Sequence, residues 1–496
     1  MSGTFNDTYR QVFPRWLDYK SASLLSLLHI AEVNKNILTV NPSYNESEVN
    51  WIKNQTIFSA VDLLGEALFI KKYSSEKALE AAKYILSYQN GSLIFLKEIA
   101  NHYIEDEMSL NNVCTNKVNY FERKQVHRLR QLVHEYPLNP IAWSDLSLFH
   151  AILGNNKKSR EAMLVAAKLG KGNRFILRSA ARCFLHIGEP DISLEILKKS
   201  DLCGFDPWIN SAEIAIADKI ERKSYCISSA KNLLKDNNLS PFSKSELAAC
   251  LGTIEFKNGS NKKGKLYFKE ALMDPSENAL AQIQWILSRA NILNNPDLSK
   301  TIPASYEAQA RYHFRNENYS ESISAAEKWA RFQQFSSMPI ILASYITSVC
   351  LDDDDKNISL IKESLPIHQQ NHTIMNNLTF SLIRTGRLDE AKQILNCISQ
   401  SVSDDHENNV ITATRGLYFY RLGENRAGLE NYQKAIRGFE RNNDYRSAAI
   451  ASYYWAIEEK RIQSKNTAER ITDAKKRIKN NNVFELIKKV NLVLGQ

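Results

Sequence analysis

Residues that interrupt helices are scarce in this sequence, which has 17 glycines and 12 prolines among 496 residues. Both counts are below average usage and predict long helices joined by short turns. Long hydrophobic runs are also lacking, since nowhere do about eighteen apolar residues follow one another, and no basic stretch precedes an apolar one in the first ten residues. We therefore expect a soluble chain with neither a membrane-spanning helix nor a secretory signal.

The seven cysteines lie far apart, without the Cys-x-x-Cys or His/Cys spacing of a metal site. They are expected to be small buried hydrophobic residues in a reducing compartment, which predicts a cytoplasmic location. Catalytic motifs are missing too, because the histidines are dispersed and no His-Glu-x-x-His, Gly-x-Ser-x-Gly or paired acidic motif occurs. The run Asp352–Asp355 is interpreted as a solvated turn. The sequence thus predicts a noncatalytic protein with no cofactor and no metal site.

What the sequence does contain is a recurring glycine, placed after one apolar helical stretch and before a second. The first two of these glycines are 34 residues apart, a period typical of stacked helical hairpins. The five turn glycines are Gly154, Gly188, Gly259, Gly386 and Gly423. Around Gly154, apolar and small residues follow the three- and four-residue spacing of one helix face. The pattern predicts an array of helix pairs.

Small residues recur where the two helices of each pair would touch. These positions are Ser147 with Ser159, Ala181 with Ser193, and Gly252 with Gly264. A bulky side chain there would push the helix axes beyond their usual separation of about 8–10 Å. Together with the turn glycine, this pattern resembles the tetratricopeptide repeat (TPR). The resemblance implies an all-α fold, a right-handed α-solenoid of antiparallel helix pairs forming a TPR-like superhelix, with six repeats in 140–206, 245–278, 303–336 and 372–442.

Outside these repeats the pattern is looser, and it predicts three regions. Residues 1–139 form an N-terminal helical region with degenerate repeats, in which Ser21–Ile30 is an apolar helix and Asn41–Glu48 a loop. Residues 140–442 form the TPR-like solenoid. Residues 443–496 form a C-terminal helical cap, whose more charged helices would shield the end of the stack from water.

The TPR resemblance also implies a concave surface, built from fixed positions of the first helix of each pair. The residues that fall on these positions and are predicted to bind a partner are Arg178, Arg182, Phe256, Lys257, Arg311, Phe314, Arg315, Phe380, Arg384, Tyr420 and Arg421. An apolar stripe beside a cationic one is suited to an amphipathic, acid-containing peptide, because aromatic anchors supply affinity and arginines supply orientation.

Positive charge is unevenly distributed along the chain. The net charge is +9, and the stretch from Glu122 to Arg182 contains twelve basic and four acidic residues. Several cations on one face are what a phosphate backbone requires, so this stretch is an alternative, nucleic-acid-binding surface. Its candidate residues are Arg123, Lys124, Arg128, Arg130, Lys171 and Arg174.

These observations favour a noncatalytic scaffold or adaptor that binds a protein partner. The stretch Val12–Trp16 resembles the start of bacterial repeat proteins that are often encoded beside nucleases. That resemblance implies a regulatory or sensor subunit for an effector enzyme, such as a nuclease in phage defence. Two alternatives stay open, namely a nucleic-acid-binding repeat protein and a peptide-sensing regulator.

Overall fold

The protein is described from a computed structural model. The described residues are 10–19, 42–69, 75–88, 118–287, 304–368, 371–399 and 405–494, with a few single positions between 97 and 104 and Ile302. They belong to two compact units. The smaller lies within Leu24–Phe121; the larger combines residues 10–19 with those from Glu122 onward. The predicted boundaries after residues 139 and 442 do not coincide with this division and remain predictions.

Three helices of the smaller unit have bounds within its described residues. They are α1 (Pro42–Lys53), α2 (Ile57–Phe69) and α3 (Glu76–Ser87), and α2 packs against both others around the buried Trp51 and Leu63. The prediction of a loop at Asn41–Glu48 is wrong for residues 42–48. Proline disrupts the interior of a helix. Pro42, however, lies at the first helical position, where the missing backbone N–H would have no partner within the helix in any case. The predicted helix at Ser21–Ile30 lies outside the described residues.

The larger unit is a series of helices, and none of its described residues lies in a β-strand. The helices are α4 (Val118–Glu135), α5 (Pro140–Ile152), α6 (Asn156–Leu169), α7 (Arg174–His186), α8 (Pro190–Lys198), α9 (Pro207–Lys219), α10 (Ile227–Lys235), α11 (Pro241–Lys257), α12 (Asn261–Ala271), α13 (Glu277–Leu287), α14 (Tyr306–Arg315), α15 (Tyr319–Phe332), α16 (Met338–Tyr345), α17 (Asp354–His368), α18 (His372–Arg384), α19 (Leu388–Ser399), α20 (Asp405–Leu422), α21 (Asn425–Arg441), α22 (Tyr445–Arg461), α23 (Thr467–Asn480) and α24 (Phe484–Leu494). A π-helical turn, Ile346–Cys350, continues α16.

Successive helices pack as antiparallel pairs whose contact points are the small residues named above. Ser147 Oγ donates to the carbonyl of Ser159 at 2.7 Å, so its short side chain joins the two helices directly. A Cβ added to Gly264 would stand 3.1 Å from the carbonyl oxygen of Gly252. The five turn glycines all have positive φ, between 72° and 86°. The predicted all-α fold of antiparallel helix pairs is therefore confirmed for the part of the chain that the structure describes.

Several first helices begin with a side-chain cap that the sequence supplies locally. Asn139, Asn173 and Asp206 each precede a helix and accept hydrogen bonds from backbone N–H groups of its first turn. Such caps satisfy donors that have no partner within the helix. These caps fix the residues at which α5, α7 and α9 begin. The start of each helix in turn determines which of its side chains face the groove.

Two expectations about polar residues need correction. Cys397 is exposed and Cys203 half-buried, so the cysteines are not uniformly buried; Cys114 lies outside the described residues. Asp354 does not lie in a solvated turn. Its carboxylate is buried and accepts hydrogen bonds from Ser348 and Ser381. Burial is possible because the guanidinium of Arg384, 3.1 Å away, compensates the negative charge.

In the described part of the chain, no helix has the length and apolar character needed to cross a membrane. Within that same part, His, Cys, Asp and Glu side chains form no group of three or more that could hold a metal ion.

Candidate partner-binding groove

A stretch of the chain that precedes all the described helices lies against the predicted groove positions of the larger unit. Residues 10–19, here called the groove segment, have no helical turn over residues 10–18, and Pro14 removes one backbone donor from their middle. Arg10 contacts α13 and α14, whereas Tyr19 contacts Asp145 of α5 and Phe175 of α7. The segment therefore runs opposite to the order of the helices and meets the first helices of successive pairs.

Arg10 is held at one end by three side chains of α13 and α14. Its guanidinium donates to both carboxylate oxygens of Glu307 at 2.7 and 3.0 Å, to Gln282 Oε1 at 2.5 Å and to Asn278 Oδ1 at 3.0 Å. Both partners of the ion pair are at least nine-tenths buried. A buried guanidinium with four hydrogen bonds is satisfied in a way that water cannot reproduce inside the groove.

Arg15 shares this acidic site. It forms a bidentate pair with Glu277, with a shortest distance of 2.8 Å, and also donates to Glu307 at 2.7 Å. Arg311 of α14 donates to the same Glu307 at 2.9 Å. Burial alone would raise the pKa of Glu307, but Arg10, Arg15 and Arg311 outweigh that effect and hold its pKa well below the ordinary value. Glu307 is therefore a carboxylate shared by three guanidinium groups.

Amide side chains of the groove also hold the backbone of the segment. Gln282 Nε2 donates to the carbonyl of Arg10 at 2.9 Å, and Asn278 Nδ2 donates to the carbonyl of Phe13 at 2.9 Å. Such contacts recognise an extended main chain irrespective of its sequence. The same two side chains also accept hydrogen bonds from the guanidinium of Arg10.

Two apolar side chains of the segment are completely buried. Val12 belongs to a core cluster with Ile214 of α9 and Ile286 of α13. Trp16 joins a second cluster with Leu148 and packs against Phe335, with ring centroids 5.2 Å apart. A buried tryptophan contributes a large apolar area, so these two pockets supply affinity while the arginines set the register.

Beside Phe335 lie Arg182 and His186. The guanidinium of Arg182 lies over the Phe335 ring at 5.3 Å, and the His186 ring packs against the same phenyl group at 5.3 Å. Burial, together with the charge of Arg15, lowers the pKa of Arg182 to about 10. Burial likewise lowers the pKa of His186 to about 4, and that of His368 to about 4. The Phe335 ring thus contacts Trp16, Arg182 and His186.

The predicted cationic stripe is largely paired within the chain. Arg178 forms a bidentate pair with Glu246 of α11, with distances of 3.0–3.1 Å, and its guanidinium lies 4.9 Å from the Trp208 ring. Lys257 pairs with Asp218 at 2.8 Å. The first pair joins α7 to α11, and the second joins α11 to α9. Both remove free positive charge that the sequence pattern predicts here.

The remaining predicted groove residues follow the same pattern. Phe256 and Arg315 are half-buried, whereas Phe314 is buried against Phe484 with ring centroids 5.4 Å apart. Arg315 lies 5.8 Å from the Tyr312 ring. Arg311 belongs to the Glu307 site described above. Whether any of these side chains contacts a partner remains a prediction.

In the later repeats, cations and aromatic rings again combine. Arg384 lies 5.6 Å from both the Phe380 and the Tyr454 rings and pairs with Asp352 at 3.0 Å. In the next repeat Arg421 pairs with Glu458 of α22 at 2.7 Å, and the hydroxyl of Tyr420 donates to Glu459. Each carboxylate comes from an element of the same stack, so this part of the groove is closed by its own helices.

The candidate nucleic-acid residues divide into two groups. Arg123, Lys124, Arg128 and Arg130 of α4 are exposed, as is Lys171. Arg174 instead pairs with Asp206, the residue that caps α9. With Arg178 on Glu246 and Arg182 on Phe335, the row of arginines along α7 faces the groove interior rather than an open surface.

Sequence reasoning missed the acidic site because three of its residues, Glu277, Asn278 and Gln282, lie in a degenerate repeat. Asn278 and Gln282 are four residues apart on α13, which has no turn glycine to align it with the others. Glu307 falls on a groove position of its repeat, but a single carboxylate does not reveal its partners. The arginines at 10 and 15 are far away in sequence, so only the fold brings them there.

Several solved structures are similar to this chain. They are the APC/C hetero-tetramer Cut9–Hcn1 (11% identity, covering 91% of this chain and 92% of that one, TM-score 0.34), yeast Tom70 (12%, 88% and 98%, 0.32) and the human IFIT1 dimer with PPP-AAAA (11%, 92% and 95%, 0.34). No protein-family model and no curated protein matches the sequence. Because these TM-scores are below 0.5, the partner has to be inferred from the contacts of this chain itself.

Proposed function

We propose that this chain is a noncatalytic helical-repeat adaptor that binds a protein partner through its concave groove. The observation that supports this is the groove segment itself, an extended peptide held by Glu277, Glu307, Asn278 and Gln282 through side-chain and backbone contacts. A surface that holds one extended peptide in this way has the chemistry of a peptide-binding site.

A photo-crosslinking experiment in the native host tests the proposal. A photoreactive phenylalanine analogue at Phe256, half-buried on the concave side, is expected to crosslink to the partner. The same analogue at Leu266, 66% exposed on the second helix of that repeat, is the matched control and is expected to capture much less. Equal crosslinking at both positions, or crosslinking only from Leu266, would contradict a groove-bound partner.

We further propose that the partner is an effector enzyme, such as a nuclease in bacterial phage defence, for which this chain is the regulatory or sensor subunit. Support comes from the resemblance of Val12–Trp16 to the start of repeat proteins often encoded beside nucleases, and these residues are the ones buried in the groove. Coexpression with a neighbouring nuclease should alter its activity, and a Trp16→Ala variant should alter it differently. An unchanged activity would argue against this role.

The nucleic-acid alternative is favoured by the exposed cations of α4. Its test has to use Arg123, Arg128 and Arg130, because Arg174 and Arg178 already pair with carboxylates. If the alternative holds, RNA or DNA affinity should fall steeply with added salt, and glutamate at these three positions should abolish it. Peptide sensing, the third reading, is a form of groove binding and is developed below.

A further inference from the structure

We infer that the first part of the groove, from α5 to α14, recognises an extended peptide carrying two arginines and a tryptophan. In this inference residues 10–19 are an exchangeable occupant that such a peptide of the partner displaces. The inference rests on the proposed function, because it specifies the chemistry of the partner's segment. It differs from the sequence-based expectation, which favoured an acid-containing peptide.

The charges of the site determine the first requirement for a ligand that replaces the groove segment. Without the segment, Glu307 would keep Arg311, but Glu277 would lose Arg15, the cation with which it pairs. Two carboxylates in a largely buried site repel each other and lose hydration, so an empty groove is electrostatically unfavourable. A ligand that replaces the segment therefore has to bring positive charge to both carboxylates.

The directions of the hydrogen bonds determine the second requirement. Arg10 donates to three different side chains, and Arg15 binds Glu277 with two parallel bonds. A guanidinium has planar, widely spread donors that match this arrangement, whereas a lysine ammonium is a compact point charge. We expect arginine to be preferred over lysine at both positions of the bound peptide.

Apolar pockets and backbone contacts determine the spacing. The Val12 pocket lies between the two arginine sites in sequence, and the Trp16 pocket follows directly after Arg15. Donation from Gln282 and Asn278 to carbonyls of the segment requires an extended main chain. The recognised pattern is thus arginine, one residue, a β-branched residue, two residues, arginine and tryptophan.

The segment contacts the groove mainly through side chains, which gives it the character of a bound ligand rather than of a structural element. Phe13 N donates to Gln11 O within the segment, whereas Glu277, Asn278, Gln282 and Glu307 hold it through their side chains. A tethered ligand acts at an effective concentration on the order of millimolar, so a partner has to bind tightly to displace it. The tether would set a threshold for partner binding.

A peptide-binding measurement on the full chain tests this inference. The variant R10E/R15E places negative charge against Glu277 and Glu307 and is expected to empty the groove. A labelled peptide of residues 10–19 should then bind this variant at least about tenfold more tightly than the wild type, as measured by fluorescence anisotropy. The variant R123E/R128E, with the same change of charge on exposed positions of α4, should behave as the wild type.

Matched peptides show whether recognition is specific. Lysine at both arginine positions should weaken binding, and glutamate should abolish it; equal binding of all three peptides would overturn the inference. If R10E/R15E keeps its helical circular dichroism and yet binds no peptide, the segment is a fixed part of the fold and the inference is wrong.

A second measurement covers the case in which that variant does not fold. A protease site inserted between Ser23 and Leu24, at the boundary of the two units, turns the segment into a separate peptide after cleavage. The labelled peptide should then replace it, and absence of exchange over many hours would contradict the inference.

Exchange between differently tagged copies of the uncleaved chain would identify a second copy as the occupant and would also overturn the inference. Peptide binding without a crosslinked partner would leave the inference standing and reject the proposed function.

Discussion

Two parts of the groove neutralise their buried charges in different ways. In α5–α14, the carboxylates of Glu277 and Glu307 are paired with arginines of the groove segment, more than 250 residues away in sequence. In α18–α22, Arg384 and Arg421 are paired with carboxylates of neighbouring elements of the same stack. The chemistry is the same, since guanidinium groups meet carboxylates beside aromatic rings.

The two regions differ in whether one partner of the ion pair can detach from the helices. Arg384 and its partner Asp354 each belong to a packed helix, so their pair separates only if the repeat unfolds. Arg10 and Arg15 belong to a segment without secondary structure of its own, which can detach while the helices stay paired. The comparison teaches that an ion pair can serve stability in one region and ligand recognition in another.

The largest effect is expected in the later repeats. Arg384→Ala removes a cation stacked on two aromatic rings and leaves the buried Asp354 without its charge partner, so unfolding free energy should fall by about 3–5 kcal/mol. Arg387→Ala, which breaks an exposed pair with Glu390 close by, is the control and should cost less than about 1 kcal/mol. Thermal unfolding of both variants checks this, and equal losses would contradict it.

A smaller loss of stability is expected from R10A/R15A. The helices keep their own packing, and Glu307 keeps Arg311, so the unfolding free energy should fall by about 1–3 kcal/mol. Hydrogen exchange distinguishes local from global loss of structure. Backbone amides of residues 10–19 should lose protection in the variant, and those of α20–α22 should not. Arg128→Ala, on an exposed position of α4, should change neither. Loss of protection throughout the unit would remove the contrast between the two regions.

Acid should destabilise the segment-filled region. The pKa values of His186 and His368 are lowered to about 4 from 6.5, so below pH 6.5 the unfolded chain takes up protons that the folded chain resists. The lowered pKa of Glu307 acts in the same direction, because its contribution is complete above about pH 4.5 and is lost as it becomes protonated. The melting temperature should therefore fall between pH 6.5 and 4, and less steeply in His368→Gln. An identical slope would exclude His368 as a source.

The smallest loss of stability is expected from replacing a turn glycine by alanine, and it should be equal in the two regions. Gly154 and Gly386 have φ values of 72° and 80°, and an added Cβ would meet no atom within 4 Å at either site. The cost of Gly→Ala is then purely conformational, about 1–2 kcal/mol in each case. Urea unfolding of G154A and G386A measures it. A clear difference would mean that the two turns are not equivalent.

Short-range patterns in the sequence were enough for the repeat architecture. The small residues at Ser147, Ser159, Gly252 and Gly264 predicted the helix contacts, because close packing tolerates no larger side chain there. Loops were less predictable, as Pro42 shows, since the same residue begins a helix or breaks one depending on its position. The sequence allowed residues to be assigned to the groove, but it did not show whether their charged side chains are paired within the chain.

The sequence by itself determined the all-α class, the helix pairs and the turns, because these depend on residues within about 34 positions of one another. Only the tertiary structure decided what fills the groove. Arg10 and Glu307 are 297 residues apart, and no local pattern indicates that they meet. Ion pairs and pockets form wherever the fold brings complementary groups together. The acidic character of the site, and with it the ligand that we propose, therefore follows from the tertiary contacts and not from the repeat pattern.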